Sequence, residues 1–143
     1  MPLKNPRSRI QVALTLVVVI VLGLGSRRFG AALPDFLADH AGDALWTVAV
    51  YLTLAFALPR SSAFHLLIAS IAISFAVEFS QLIKVNWLDQ LRDTLPGRLL
   101  LGQTFVWIDL ARYTAGAILA YLFDLSTTRI TNQADPHRRS DAA

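Results

Sequence analysis

Four long apolar segments divide the chain and limit what it can fold into. They run from Ile10 to Gly25, Ala44 to Leu58, Ala63 to Ile83 and Phe105 to Leu125. A helix that crosses a bilayer needs about 20 mainly apolar residues, within a range of roughly 17–25. The last two segments reach that length with their polar residues included, whereas the first two would suit a thin or locally adapted bilayer. The pattern predicts an all-α integral membrane bundle of four transmembrane helices.

The composition supports lipid as the main solvent. Hydrophobic residues make up 55% of the chain and charged residues 16%, with a mean hydropathy of +0.50, whereas soluble domains carry about 25% charged residues. The net charge of +3 comes from basic residues that flank the apolar segments, so no nucleic-acid partner is predicted. The absence of cysteine excludes disulfides and thiolate chemistry. The absence of glycine-rich phosphate loops leaves no cofactor to predict.

The transmembrane domain is expected to cover residues 10–125, between a basic tail over 1–9 and a disordered, polar C-terminal tail over 126–143. The first apolar segment also fits a cleavable secretory signal, because basic residues precede it and Gly23-Leu24-Gly25 has the small-x-small pattern of a cleavage site. Cleavage would leave three membrane spans and would not move the acidic residues discussed below to the other side.

Lys and Arg residues between the segments predict that both termini are cytoplasmic. That orientation places seven basic residues inside and five outside, with one more inside a segment. The inner set is Lys4, Arg7, Arg9, Arg60, Arg129, Arg138 and Arg139, and the outer set is Arg27, Arg28, Lys84, Arg92 and Arg98.

Acidic residues in the apolar segments fall at one end of the predicted bundle. Asp43 precedes the second segment, Glu78 lies near the end of the third, and Asp109 near the start of the fourth. Because consecutive spans alternate in direction, all three share the outer side, and ionisable groups in a membrane indicate function by default. The predicted outward-facing polar pocket consists of Asp43, Glu78, Gln81, Asp109, Arg112 and Tyr113.

Helical spacing extends this layer into one polar stripe on each helix. The stripes are Asp43, Thr47 and Tyr51; Ser70, Ser74, Glu78 and Gln81; and Asp109, Arg112 or Tyr113, Gly116 and Ala120. These faces should meet inside the bundle. The small residues in the pairs Ala72 and Ala76, and Gly116 and Ala120, would permit close helix approach.

The connection between the last two segments predicts a short amphipathic helix along the interface. Leu88, Leu91 and Leu95 recur at helical spacing, Trp87 is a suitable headgroup-level anchor, and Pro96-Gly97 marks the end. The predicted charged rim above the pocket is formed by Arg92, Asp93 and Arg98. These charges suit a solvated surface or a phosphate equally well.

The polar layer has a structural alternative, in which Arg112 pairs with Glu78 or Asp109 and the network only sets helix packing. A ligand pocket is favoured because three acids exceed what one buried cation needs. Glu78 and Asp109 are the pair to consider for acid–base catalysis, but whether any turnover occurs stays open. No metal site is predicted, since His40 is the one histidine near the acids and fits an ordinary loop position.

Three stretches resemble a family of small bacterial membrane proteins of unknown function. They are Gly42-Asp43-Ala44-Leu45-Trp46, Glu78-Phe79-Ser80-Gln81, and the spaced series Leu91-Arg92-Asp93-Thr94, Gly97-Arg98, Leu101-Gly102, Phe105, Asp109, Tyr113 and Gly116. That family is similar in turn to the VanZ-like proteins, whose namesake is associated with resistance to teicoplanin, a glycopeptide that acts at the outer envelope. The resemblance implies a four-helix bundle in a bacterial inner membrane, without an established reaction.

The leading functional hypothesis is binding or modification of an envelope lipid or glycolipid headgroup at the outer face. A small transporter or proton-coupled carrier is an alternative, although the inner halves of the helices offer it only Ser70, Thr53 and Tyr51. A membrane scaffold whose polar layer only sets packing is another, and a homo-oligomer is compatible with each.

Overall fold

The computed structural model describes residues 6–133, with side chains as far as Thr127. This part of the chain is all-α and contains no strand. Its helices are α1 (Arg9–Arg28), α2 (Asp35–Ala57), α3 (Ala63–Ser80), α4 (Asn86–Asp93), α5 (Leu95–Leu101) and α6 (Trp107–Gln133), with one 3-10 turn at Gly30–Ala32. The all-α prediction is confirmed.

Helix α2 lies at the centre of the bundle, packed against α1, α3 and α6, and α6 also packs along α3. The long helices alternate in direction. Arg7, before α1, contacts the turn after α2, and the end of α1 reaches Asp43 in the first half of α2. Glu78 near the end of α3 contacts Tyr113 near the start of α6. A core of Tyr51, Ala55, Leu66 and Ala120 joins α2, α3 and α6. At the other end of this core, α3 ends and α6 begins beside Asp43 of α2, where the polar pocket was predicted.

Close backbone approach between α2 and α6 depends on Gly116. A Cβ atom at this position would lie 2.2 Å from the carbonyl oxygen of Ala44 and 3.0 Å from its Cα. The absence of a side chain lets the two helices touch directly beside Asp43, one turn of α6 away from Tyr113. This contact fixes the separation of the helices at the pocket.

Capping residues determine where the two short helices between α3 and α6 begin and end. Thr94 lies between α4 and α5, and its hydroxyl accepts a hydrogen bond from the Gly97 amide at 3.1 Å. Pro96 occupies the first turn of α5, where its missing N–H costs little. The interfacial segment is consequently two short helices, and Pro96-Gly97 helps to begin the second instead of ending the first as predicted.

Two further boundaries differ from those predicted. Helix α2 begins at Asp35, after Pro34, so Asp43 lies well inside a helix and not at its start. Helix α6 continues to Gln133, so the predicted disordered tail is wrong over 126–133. Residues 134–143, the rest of that tail, lie outside the described residues.

Within the described part of the chain, α1 and α3 are long and apolar enough to cross a membrane. Leu14, Val17 and Val21 of α1 expose 64%, 58% and 62% of their surface. Contiguous apolar surface on this scale is unusual for a soluble monomer and typical of a surface that contacts lipid or another protein.

Candidate functional site

The candidate site lies at the end of the bundle where α2, α3 and α6 meet. Glu78 is in the last turn of α3, Asp109 and Tyr113 are in the first two turns of α6, and Asp43 faces them from α2. Gln81 follows the end of α3 and Arg112 follows Asp109 by three residues. We call these six residues, which were predicted to lie together and which the fold brings to one end of the bundle, the polar pocket.

Glu78 is completely buried and is held by neutral donors. Its Oε1 accepts from the Val106 amide at 2.8 Å, while Oε2 accepts from the Tyr113 hydroxyl at 3.0 Å and from Gln81 Nε2 at 3.1 Å. Among the described residues, no Lys or Arg forms an ion pair with it. A buried carboxylate without a cation is costly unless a ligand or a proton compensates the charge.

Asp43 and Asp109 share the one arginine of α6 in this region. Arg112 Nη1 lies 2.6 Å from Asp109 Oδ1 and 3.1 Å from Asp43 Oδ2. Arg27, at the end of α1, reaches the other oxygen of Asp43 at 3.2 Å. Of the two predicted partners of Arg112, Asp109 is confirmed and Glu78 is wrong; Asp43 takes the place of Glu78.

The orientation of the Gln81 amide is set by its surroundings. Nε2 faces two oxygen acceptors, Glu78 Oε2 at 3.1 Å and the Leu101 carbonyl at 3.0 Å, so the reversed amide would place oxygen against oxygen. The side-chain Oε1 is buried and has no described hydrogen-bond partner. Gly102, with φ of 65°, packs its backbone against this amide, where a Cβ would lie 2.6 Å from Nε2.

A cavity of about 120 Å³ opens among these groups. Glu78, Gln81, Asp109 and Tyr113 line one part of it, together with Asp43. The remaining walls come from Arg27, Trp46, Val77, Arg98, Leu99, Leu100, Leu101, Gly102 and Thr104. Helix α5 and the segment after it thus form a roof over an acidic and amide-lined floor.

The predicted rim needs one correction. Arg92 is only 2% exposed, and its guanidinium donates to the carbonyl oxygens of Ser80 at 2.6 Å and Ile83 at 3.1 Å. It therefore satisfies carbonyls at the C-terminal end of α3 and is not a surface charge. Asp93 and Arg98 are exposed, and Arg98 donates to the Asp93 carbonyl at 3.1 Å.

The histidine near the acids packs within its own helix. His40 makes an edge-to-face contact with Phe36, with ring centroids 4.7 Å apart. Over the described residues, no group of three or more His, Cys, Asp and Glu side chains is arranged to hold a metal ion.

A second polar cluster, at the opposite end of the bundle, was missed from the sequence. Arg7 makes a bidentate contact with Asp124, with Nε–Oδ1 at 2.7 Å and Nη2–Oδ2 at 2.6 Å. The Tyr51 hydroxyl also donates to Asp124 Oδ2 at 2.6 Å, and Arg7 Nη1 donates to the Ser61 carbonyl at 2.7 Å. We call the Arg7–Asp124 salt bridge, together with the Tyr51 hydroxyl that bonds to it, the terminal ion pair. Asp124 lies inside the fourth apolar segment. An acidic residue at such a position is a signal in the sequence that a polar partner is needed.

Buried hydroxyl groups lie between the polar pocket and the terminal ion pair. Thr47 and Ser74 are fully buried and lie 3.2 Å apart across the α2–α3 contact. Ser70, one turn further along α3, is also fully buried, and its hydroxyl donates to the Leu67 carbonyl. The polar stripes predicted for α2 and α3 thus face each other in the interior, and Asp124 extends the polar series to the far end.

A larger and mainly apolar crevice of about 870 Å³ separates α1 from α6 over the surface of α2. Val12, Val19, Val48 and Leu119 contribute to its walls, and Arg7 with Asp124 lies at one end. Helix α1 is therefore joined to the rest of the bundle most firmly along α2 and at its two ends.

A family model described as "Protein of unknown function (DUF2809)" matches residues 32–117, more than half of the chain. The match includes all six residues of the polar pocket and the rim, while Arg7, Arg27 and Asp124 lie outside it. No solved structure matches the chain. The similarity to VanZ-like proteins inferred from short motifs stays a prediction.

Proposed function

The chain belongs to this family of unknown function, and we propose that it is a multi-pass membrane protein whose polar pocket binds an envelope lipid or glycolipid headgroup. In this proposal α1, α2, α3 and α6 cross the cytoplasmic membrane of a bacterium with both termini inside. The polar pocket then faces outward and the terminal ion pair faces the cytoplasm.

The exposed surfaces of the long helices support a membrane setting. Phe64 and Ile68 of α3 and Leu119 and Leu122 of α6 are exposed, like the apolar face of α1. Charged side chains of the described helices are concentrated towards the two ends of the bundle, where Arg27, Asp43 and Arg112 meet at one end and Arg7 with Asp124 at the other. This distribution suits a hydrocarbon layer between two polar interfaces.

The observation that carries the proposal is Glu78, a fully buried carboxylate beside a cavity and without a cationic partner in the described structure. A packing network would gain from pairing this charge, as Arg112 does for Asp109 and Asp43. An acid that is hydrogen-bonded, unpaired and adjacent to open space is better suited to meet a ligand.

The size of the cavity favours one moiety of a larger molecule. Pockets for drug-sized ligands usually span about 300–1,000 Å³, whereas this cavity has about 120 Å³. It would hold the polar end of a lipid or a substituent of a sugar, with the remainder outside the roof formed by α5.

The fixed geometry of the acids favours binding over acid–base catalysis. Asp109 is committed to Arg112 at 2.6 Å, and Glu78 already accepts three hydrogen bonds. To bind a polar group, these side chains need only accept one more hydrogen bond. To transfer a proton, one of the two carboxylates would first have to break its present hydrogen bonds.

Native mass spectrometry tests the proposal on protein extracted gently from its own membrane. We expect wild-type protein to retain a lipid or glycolipid mass that Glu78→Gln loses, because the substitution removes the charge and preserves the shape. Tyr51→Phe is the matched control, since it removes one buried hydrogen bond at the opposite end of the bundle. Equal retention by all three proteins would contradict a headgroup site at Glu78.

A second candidate function, a proton-coupled carrier, is favoured by the buried polar series from Glu78 through Ser74, Thr47 and Tyr51 to Asp124. Such a series is what a proton path across the bundle would require. Proteoliposomes loaded with a pH-sensitive dye distinguish the two functions. Proton flux that is abolished by Asp124→Asn would favour the carrier, and the absence of flux would leave headgroup binding as the better account.

A further inference from the structure

The polar pocket presents a hydrogen-bond acceptor that nothing in the described structure uses. Gln81 is 4% exposed, its amide orientation is set by two oxygen acceptors, and Oε1 has no partner while the side chain lines the cavity. A buried acceptor without a hydrogen-bond partner lowers the stability of the folded state. A ligand that donates a hydrogen bond at this atom would remove that loss.

Glu78 offers the same kind of site beside it. A carboxylate has about four lone-pair positions, and three donors contact Glu78. One position is therefore left for a ligand, together with a negative charge that no described arginine or lysine neutralises. A hydrogen-bond donor that also carries positive charge meets both requirements.

Two cationic side chains that line the same cavity have the opposite character. Arg98 is exposed and lines the cavity from α5. Arg27 lines it from α1 and keeps 45% of its side chain exposed while it contacts Asp43. Arginine is well suited to hold phosphate through paired N–H donors. The pocket thus combines an acceptor-rich acidic floor with a basic opening.

We infer that the polar pocket receives a primary ammonium group on Glu78 and Gln81, with the adjoining phosphate of the same headgroup on Arg98 at the rim. This rests on the proposed function and assigns the ligand class as a zwitterionic phosphoethanolamine-type headgroup. A primary ammonium has three N–H donors in a compact volume, whereas a quaternary ammonium has the charge without a donor. The site therefore distinguishes the two by hydrogen bonding and size.

Titration of full-length, delipidated protein in detergent, followed by native mass spectrometry, tests this inference. The probes are phosphatidylethanolamine, phosphatidylcholine and phosphatidylglycerol with identical acyl chains. We expect phosphatidylethanolamine to bind about tenfold or more tightly than phosphatidylcholine, as the loss of charged hydrogen bonds would produce. Glu78→Gln and Gln81→Met should each reduce that preference several-fold, while Tyr51→Phe should preserve it.

The alternative outcomes separate this inference from the proposed function. Binding that depends on Glu78 or Gln81 but shows no preference for phosphatidylethanolamine would overturn the ammonium assignment and leave a headgroup site. Binding of every lipid that is unchanged in both variants would overturn the site itself. Two pocket variants are used so that poor folding of one leaves the other informative.

A soluble competitor identifies the source of the ammonium. Glycerophosphoethanolamine, which has the same headgroup without acyl chains, should compete only at much higher concentration than the lipid. If it binds as tightly as phosphatidylethanolamine, the ligand is a free amine and the membrane lipid is overturned as its source.

Discussion

The two ends of the bundle use ionisable side chains in opposite ways. In the terminal ion pair, Arg7 grips both oxygens of Asp124, Tyr51 adds a third hydrogen bond, and a backbone carbonyl accepts from the remaining guanidinium edge. In the polar pocket, Glu78 is buried without a cation and Gln81 Oε1 has no described partner, beside open volume.

This difference separates structural polar groups from candidate binding groups. In the terminal ion pair the carboxylate oxygens of Asp124 already have partners, so they are not placed to bind a ligand. Its contacts stabilise the fold by joining the segment before α1 to α6 and to the α2–α3 turn. In the polar pocket, hydrogen-bonding groups without partners lower the stability of the free protein, and a bound ligand that satisfies them raises it. We therefore expect substitutions at one end to change folding and substitutions at the other to change binding.

The largest expected effect is at the terminal ion pair. Asp124→Ala should lower the free energy of unfolding by about 3–5 kcal/mol, because it leaves the buried Arg7 without its carboxylate. Unfolding of the purified protein in detergent, followed by circular dichroism, measures this loss. Asp93→Ala is the control, since that side chain is exposed; a loss below about 1 kcal/mol for Asp124→Ala would contradict a structural role.

The second largest loss of stability should come from a substitution at the contact between α2 and α6. Gly116→Ala should cost about 1–3 kcal/mol, because the added Cβ would overlap the Ala44 carbonyl and force the helices apart. Gly25→Ala in α1 is a matched control, as no atom lies within 4 Å of its added Cβ. That control should be neutral or slightly stabilising, and equal losses for the two variants would disprove the close approach.

Glu78→Gln is expected to lower the free energy of unfolding by about 1–2 kcal/mol, because its amide nitrogen cannot accept a hydrogen bond from Val106, Tyr113 or Gln81 as a carboxylate oxygen does, a loss that the removal of an unpaired buried charge offsets in part. The change is measured by the same unfolding experiment in detergent, without added lipid. A loss as large as that of Asp124→Ala would indicate that the polar pocket is packing glue, and the contrast between the two ends would fail.

The smallest effect should lie between the two ends. Thr47→Val removes the hydrogen bond to Ser74 and should cost about 0.6–1 kcal/mol, the usual range for polar contacts between membrane helices. Thr53→Val is its control, because that hydroxyl is exposed and bonds only to its own helix at Ala49. A cost several times larger would mean that the interior polar series is a coupled network.

The apolar segments and their polar interruptions were sufficient to predict the all-α fold and the grouping of the pocket residues. Asp43, Glu78 and Asp109 could be placed at one end because helices of similar length that alternate in direction bring such positions together. The partners of Arg112 could be assigned only in part. The i,i+3 spacing indicates Asp109, whereas the packing of α6 against α2 and α3 decides between Asp43 and Glu78.

The remaining errors have physical causes as well. Arg92 follows the pattern of a surface charge, yet the free carbonyls at the end of α3 attract it into a buried position. Asp124 and Arg7 are far apart in sequence, so only the antiparallel arrangement shows them as a pair. Helix α2 begins at Asp35, directly after Pro34. A proline followed by an acidic residue is a helix-start signal in the sequence, but Asp39 and His40 interrupt the apolar pattern there, so an apolar segment alone did not reach back to it.

The most direct test of the contrast between the two ends is the rise in melting temperature that phosphatidylethanolamine gives to delipidated protein. A ligand present at 100 times its Kd stabilises the folded state by about 2.7 kcal/mol. We expect a similar rise in melting temperature for wild type and Tyr51→Phe, and little or none for Glu78→Gln. An equal rise in all three proteins would show that lipid acts only by coating the apolar faces, and would contradict a binding role for the polar pocket.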